Sequence, residues 1–209
     1  RIRSLMDWQA IRLSIELAAA TTAILLALGL PLAYWLAHTR WRGRALVEAV
    51  VALPIVLPPT VLGFYVLLAL GPASPVGAAW EALFGRGLVF TFEGLLAASI
   101  LYSLPFAVQP FTAGFATLDR RLEEAAWCLG ASRLSSFLRV TLPLAWPGVL
   151  AGIVLSFAHT LGEFGVVLMI GGNIPGETRT VSIAIYDEVQ ALDYAAAGRT
   201  SAVLLAFSF

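Results

Sequence analysis

The chain has 209 residues, of which 59% are hydrophobic and only 12% charged, with a formal net charge of zero and a mean hydropathy of +0.86. This composition excludes an ordinary soluble domain of this size, and the missing positive charge excludes nucleic-acid binding, which depends on a basic surface. All 13 basic residues are arginine, so no lysine is available for a Walker A loop and the chain cannot itself hold that kind of ATP site.

A helix needs about 20 apolar residues to cross the hydrocarbon core of a bilayer. Taken in chain order, Leu17 to Ala37 is the first segment that qualifies, entered past Glu16. Ala49 to Leu70 is the second, reached through a turn bearing Arg40, Arg42 and Arg44, and broken by Pro54, Pro58 and Pro59. Gly94 to Leu118 is the third, with Pro105 and Pro110 inside it, and Thr141 to Leu161 the fourth. A fifth begins near Asp193 and is still apolar at Phe209; it reads as a span cut short, and Arg1 in place of an initiator methionine reads as missing N-terminal residues. The first apolar run is too long for a cleavable signal peptide and lacks a cleavage site. The fold expected is all-α: one polytopic membrane domain over residues 1–209 with about five transmembrane helices.

Between the third and fourth spans lies a polar loop, residues 119–139, with the layout of a docking element. Asp119 can cap a short helix whose first turn holds Glu123 and Glu124 near the positive end of the helix dipole. Gly130 can take the left-handed conformation that closes the helix, and Ser132 can cap a restart. Pro143 is well placed as the first residue of the fourth span, where its missing amide proton costs nothing. Cys128 is the only cysteine, which leaves no disulfide framework and no cysteine metal site.

The spacing of this loop is Glu124-Ala125-Ala126, three residues, Gly130, nine residues, Val140, one residue, Leu142-Pro143. It resembles the EAA signature of permease subunits of ATP-binding-cassette importers. The resemblance implies that the loop helix is a cytoplasmic coupling helix sitting in a groove of a separate ATPase subunit, with Ala125 and Ala126 small enough for close approach. An ordinary amphipathic helix on the membrane surface is the plainer alternative. The arginines divide seven against six between the two sides, more densely on the side of Arg120, Arg121, Arg133 and Arg139. The positive-inside rule therefore leans towards a cytoplasmic loop without deciding it, and the docking role places the N-terminus outside and the C-terminus inside.

Ionisable groups at membrane depth are functional candidates. Glu163 follows His159 by four residues at the end of the fourth span, so one helical face could carry both. A metal site fails on ligand count, since the only other histidine is His38. The two read as a polar anchor that fixes a gate, with a proton relay as the other reading. Gly148 and Gly152 form a Gly-x-x-x-Gly face that permits close helix approach. Beyond them, 171–180 is a turn-rich polar loop and Val181 to Val189 a short amphipathic helix.

Three segments, Leu53 to Pro59, Leu161 to Gly165 and Asn173 to Thr180, are similar to the molybdate permeases of the ABC importers, with the sulfate permeases sharing fewer of these pieces. The resemblance implies transport of molybdate or tungstate, a homodimer of this chain in the lipid of a prokaryotic inner membrane, two cytoplasmic ATPases that hold the ATP and Mg, and an external oxyanion-binding protein. It assigns no cofactor, metal or catalytic residue to this chain. A divalent oxyanion that must not be trapped calls for weak neutral donors. Pro58, Pro59, Thr60, His159, Glu163, Asn173, Thr178 and Ser182 are the candidate pathway and gate residues, with Arg179 as an electrostatic guide at the mouth. A gradient-driven secondary transporter would instead use His159, Glu163 and Glu93 for ion coupling; no inverted repeat is evident.

Overall fold

The computed structural model describes residues 7–207. Arg1 and Arg3, counted in the charge balance above, and the apolar end at Phe209 lie outside the described residues.

Three helices form the body: α1 (Trp8–His38), α5 (Phe92–Ala116), and α8 (Leu142–Gly162) with the segment that leads into it. Helix α1 begins nine residues before the first apolar run, because Asp7 caps it by accepting from the Ala10 amide at 3.0 Å and Arg12 pairs with Glu16 at 2.7 Å one turn later. Its 31 residues reach about 46 Å at 1.5 Å per residue, enough to cross a bilayer with headgroups. Helix α5 is the central element, packed against α1 on one side and α8 on the other. Leu25, Ala33 and Leu36 of α1, Ala107, Val108, Phe111 and Phe115 of α5, and Ala145 and Val149 of α8 form the main buried cluster.

The Gly-x-x-x-Gly face works inside the chain. A Cβ on Gly148 would come within 2.6 Å of Gly114 Cα and 2.8 Å of the Pro110 carbonyl, and one on Gly152 would strike the Phe111 ring. At this crossing α5 and α8 meet backbone to backbone. Pro105 and Pro110 leave α5 continuous.

The second expected span is not one helix. It is α2 (Arg44–Val56) and α3 (Pro59–Leu70), bent by 112° at the break. The cause is the consecutive prolines. A residue before proline is driven out of the helical region, and Leu57 (ψ 135°) and Pro58 (ψ 137°) are both extended before Pro59 restarts the helix at its first turn. The fourth expected span also differs from its reading. Helix α7 (Arg133–Ser136) runs through a π-helical turn (Phe137–Thr141) directly into α8, so Pro143 sits inside a continuous helix and not at its start. The wider turn, in which the Leu142 amide reaches back to the Phe137 carbonyl, accommodates a proline that has no amide to donate.

Among the described residues three helices are long and apolar enough to cross a membrane, or four if the bent pair counts as one. The fifth expected span is represented by α11 (Tyr194–Phe207), 14 residues long. The remaining helices are α4 (Pro75–Phe84), α6 (Arg120–Cys128), α9 (Gly165–Gly171) and α10 (Val181–Gln190). Helix α4 went unread in the sequence, although Ser74 as cap, Pro75 in the first turn and Gly85 at φ +69° spell out its boundaries.

Candidate functional site

Helix α6 stands at the end of the bundle where α1 finishes and α8 begins. Asp119 caps it through the Arg121 amide at 3.0 Å, it ends at Cys128, and Gly130 turns the chain at φ +86°. Ser132 then caps α7 through the Ser135 amide at 3.2 Å. Glu124, Ala125, Trp127 and Gly130 are exposed, Ala126 and Leu142 half-buried, and Pro143 exposed on the helix above. Glu123 is placed differently from its neighbour: only 7% exposed, it faces the spans. Thr141 of the π-turn donates to it at 2.5 Å, and the Tyr34 hydroxyl of α1 lies 3.3 Å from both its oxygens. A cleft of about 530 Å³, lined by Pro31, Tyr34, Trp127, Leu134 and Phe137 among others, separates the rest of α6 from the bundle.

At mid-bundle, His159 lies in the last turn of α8, which stops at Gly162; Glu163 follows as its cap residue, with an extended ψ of 136° that turns the chain after it. Glu163 is buried and accepts from the Val166 amide at 2.6 Å, satisfying the first turn of α9. His159 stacks on Phe106 with ring centroids 3.8 Å apart, lies 4.7 Å from Tyr102, and has its Nδ1 3.0 Å from Ser103 Oγ. Counting protons assigns the ring. Thr160 donates its one hydroxyl proton to the Ser156 carbonyl at 2.9 Å, so across the 2.8 Å contact Ser103 donates to Thr160. Ser103 then has nothing left to donate to His159, so Nδ1–H donates to Ser103.

Pro58, Pro59 and Thr60 are exposed at the α2–α3 break. The start of α9 lies on them: a Cβ on Gly165 would come within 2.7 Å of Pro59 Cβ. Glu163 and the proline break, far apart in sequence, are thereby neighbours through Gly165.

At the opposite end from α6, the loop 172–180 folds over the start of α1. Arg179 donates to Asn173 Oδ1 at 2.6 Å, and pairs with Asp187 at 3.0 Å and Asp7 at 3.7 Å. Asn173 in turn donates to Asp187 at 2.6 Å. With two carboxylates around one guanidinium, Arg179 is a clamp rather than the free guiding charge expected at the mouth. Thr178 is fully buried, donating to the Gly171 carbonyl at 2.6 Å and accepting from the Ile174 amide at 3.1 Å, so it shapes the loop and has no donor to spare. Ser182 is half-buried in the first turn of α10.

The structure thus groups the sequence candidates into three places. It adds residues that sequence reading passed over: Tyr34 and Thr141 beneath α6, Ser103, Thr160, Tyr102 and Phe106 around His159, and Asp7 and Asp187 around Arg179. Small polar residues inside apolar helices, such as Ser103 and Thr160, are the available signal, since a buried hydroxyl left unpaired costs free energy. The partners themselves are tens of residues away.

A family described as the binding-protein-dependent transport system inner membrane component matches residues 29–209. The chain belongs to that family. As an inner membrane component it is a multi-pass membrane protein, in keeping with its apolar helices. It is 52% identical over 203 residues, covering 97% of this chain and 90% of the relative, to the molybdenum transport system permease protein of Azotobacter vinelandii. The sulfate transport system permease protein CysT of Escherichia coli is more distant, at 38% identity over 86% of this chain and 65% of that protein. The fold is shared with a bacterial alginate ABC transporter solved in complex with an alginate-bound periplasmic protein, with a TM-score of 0.77 at 20% identity over 96% of this chain and 73% of the other.

Proposed function

We propose that this chain is the permease subunit of an ABC importer for molybdate, with tungstate as an equivalent cargo because the two tetrahedral dianions share size, shape and charge. The observation that carries the reading is α6: a capped, outward-standing helix closed by Gly130 at φ +86°, bearing the EAA spacing in a chain 52% identical to a molybdenum transport permease. Two copies of the chain form the conduit, two ATPase subunits with ATP and Mg bind at the α6 face, and an extracytoplasmic binding protein delivers the oxyanion at the opposite face. Helix α6 is then cytoplasmic, the N-terminus outside and the C-terminus inside.

The chemistry required of this chain is conduction without capture. At the outer face, the Arg179 clamp holds loop 172–180 in a fixed shape, a rigid platform for a docked protein that does not retain an anion by free charge. Inside, His159 is held at Nδ1 by Ser103, and Pro58, Pro59 and Thr60 expose a bend beside α9. Weak, replaceable contacts of this kind let an anion pass.

The test is uptake of labelled molybdate into proteoliposomes containing the chain, its ATPase and its binding protein. Uptake that requires ATP, is competed by tungstate and resists excess sulfate is expected. Competition by sulfate would move the cargo to sulfate, and uptake without ATP would overturn the importer reading.

A further inference from the structure

Helix α6 carries two adjacent glutamates with opposite placements. Glu124 is exposed, while Glu123 is almost wholly buried and takes no part in the outward face. Apolar packing covers the helix only in part. Leu122, Trp127 and Leu129 are 46%, 42% and 89% exposed, and the 530 Å³ cleft lies between Trp127 and the walls formed by Pro31, Leu134 and Phe137. At the wall of that cleft Ser136 Oγ is buried without a partner. The firm side-chain ties between α6 and the spans are therefore the contacts of Glu123 with Tyr34 and Thr141.

The positions of those two hydroxyls matter. Tyr34 lies one turn before the end of α1 and is wedged edge-on against Phe115 of α5 and Phe137 of the π-turn, with ring centroids 5.5 and 5.3 Å away. Thr141 is the last residue of the π-turn, the one place where the long Arg133–Gly162 helix departs from α geometry and is easiest to re-wind. A carboxylate is suited to hold both at once, because each oxygen accepts more than one hydrogen bond and charge-assisted bonds are shorter and stronger than neutral ones.

We propose that Glu123 is a positioning residue, a strut that passes displacement of α6 to α1 through Tyr34 and to α8 through Thr141 at the π-turn. The proposal rests on the importer reading. It separates two tasks within one helix: the exposed face of α6 binds the ATPase, and Glu123 delivers the movement to the spans.

The test uses the reconstituted complex of permease, ATPase and binding protein, and reads molybdate taken up per ATP hydrolysed. Glu123→Ala should leave the ATPase co-purifying while the uptake ratio falls at least tenfold, and Glu123→Gln, which keeps a hydrogen-bonding group at the site, should restore most of it. Thr141→Val should lower the ratio about threefold or more alone, and add little in the Glu123→Ala background, because both changes remove the same tie. A spin label on Cys128, exposed and the only cysteine of the chain, should become more mobile in Glu123→Ala. An unchanged uptake ratio in Glu123→Ala, additive effects of the two changes, or loss of the ATPase from the complex would overturn the strut. If the Glu123→Ala permease itself is not recovered as folded protein, Thr141→Val and Tyr34→Phe decide alone, and an uptake ratio within twofold of the parent in both overturns the strut. Failure of the parent complex to use ATP would instead sink the importer reading and is recognised separately.

Discussion

Gly130 has open space around it, and no neighbour would meet an added Cβ. The constraint on this residue is its backbone, at φ +86°, where a side chain costs about 1–2 kcal/mol. Gly130→Ala should therefore weaken ATPase co-purification mildly, Gly130→Val more, and Gly130→Asn least, since asparagine tolerates left-handed geometry; equal effects from all three would mean that the site is bounded by a partner surface. Gly148 shows the reverse case, an ordinary backbone with no room. Gly148→Val forces its Cβ onto Gly114 and Pro110 and should cost at least the 1–3 kcal/mol typical of overpacking, read as a lower melting temperature in detergent. His159 offers a spectroscopic check. Its imidazole 15N shifts should report the Nδ1–H tautomer, and Ser103→Ala, which removes the acceptor, should abolish that bias.

Among the helices, α2 and α3 carry the main departure from expectation. Replacing both Pro58 and Pro59 by alanine removes the steric reason for the extended Leu57 and should straighten the 112° break, seen as a lengthened distance between spin labels placed at the far ends of α2 and α3, with loss of uptake. The contrast with α5 shows where sequence reading holds and fails. Span existence was legible because a long apolar run is a local property, and so were the caps of α6 and α7, since Asp119, Gly130 and Ser132 act within three residues of their own position. The course of a proline-bearing helix was not. Pro105 and Pro110 sit in an unbroken α5, whereas consecutive Pro58 and Pro59 break the chain, and Pro143 is absorbed by a π-turn that no local residue announces. The sites were legible as lists and not as groupings: His159 stood out as a charge-capable group at membrane depth, but Ser103, whose hydroxyl holds its ring, is 56 residues upstream. Arg179 stood out as a charge, but Asp7 and Asp187, which neutralise it, are 172 residues upstream and eight downstream.

At the scale of the whole molecule, the assembly and its sidedness remain expectations with direct tests. Native mass spectrometry of the purified complex should find two copies of the 22.3 kDa chain with two ATPases, and a single copy would remove the homodimer. In vesicles bearing the permease alone, an impermeant maleimide should reach Cys128 only from the cytoplasmic side. The meeting of α5 with α8 limits how such an assembly can move. Where Gly114 faces Gly148 the two main chains touch with no side chain between them to bend or repack, so neither helix can slide past the other without one backbone climbing over its neighbour. They form a keyed pair, like a shaft and its hub. In the two-copy importer proposed above, a passage would then not open along that seam; each copy would swing the pair as one piece, with the parting at the α2–α3 bend or between the copies.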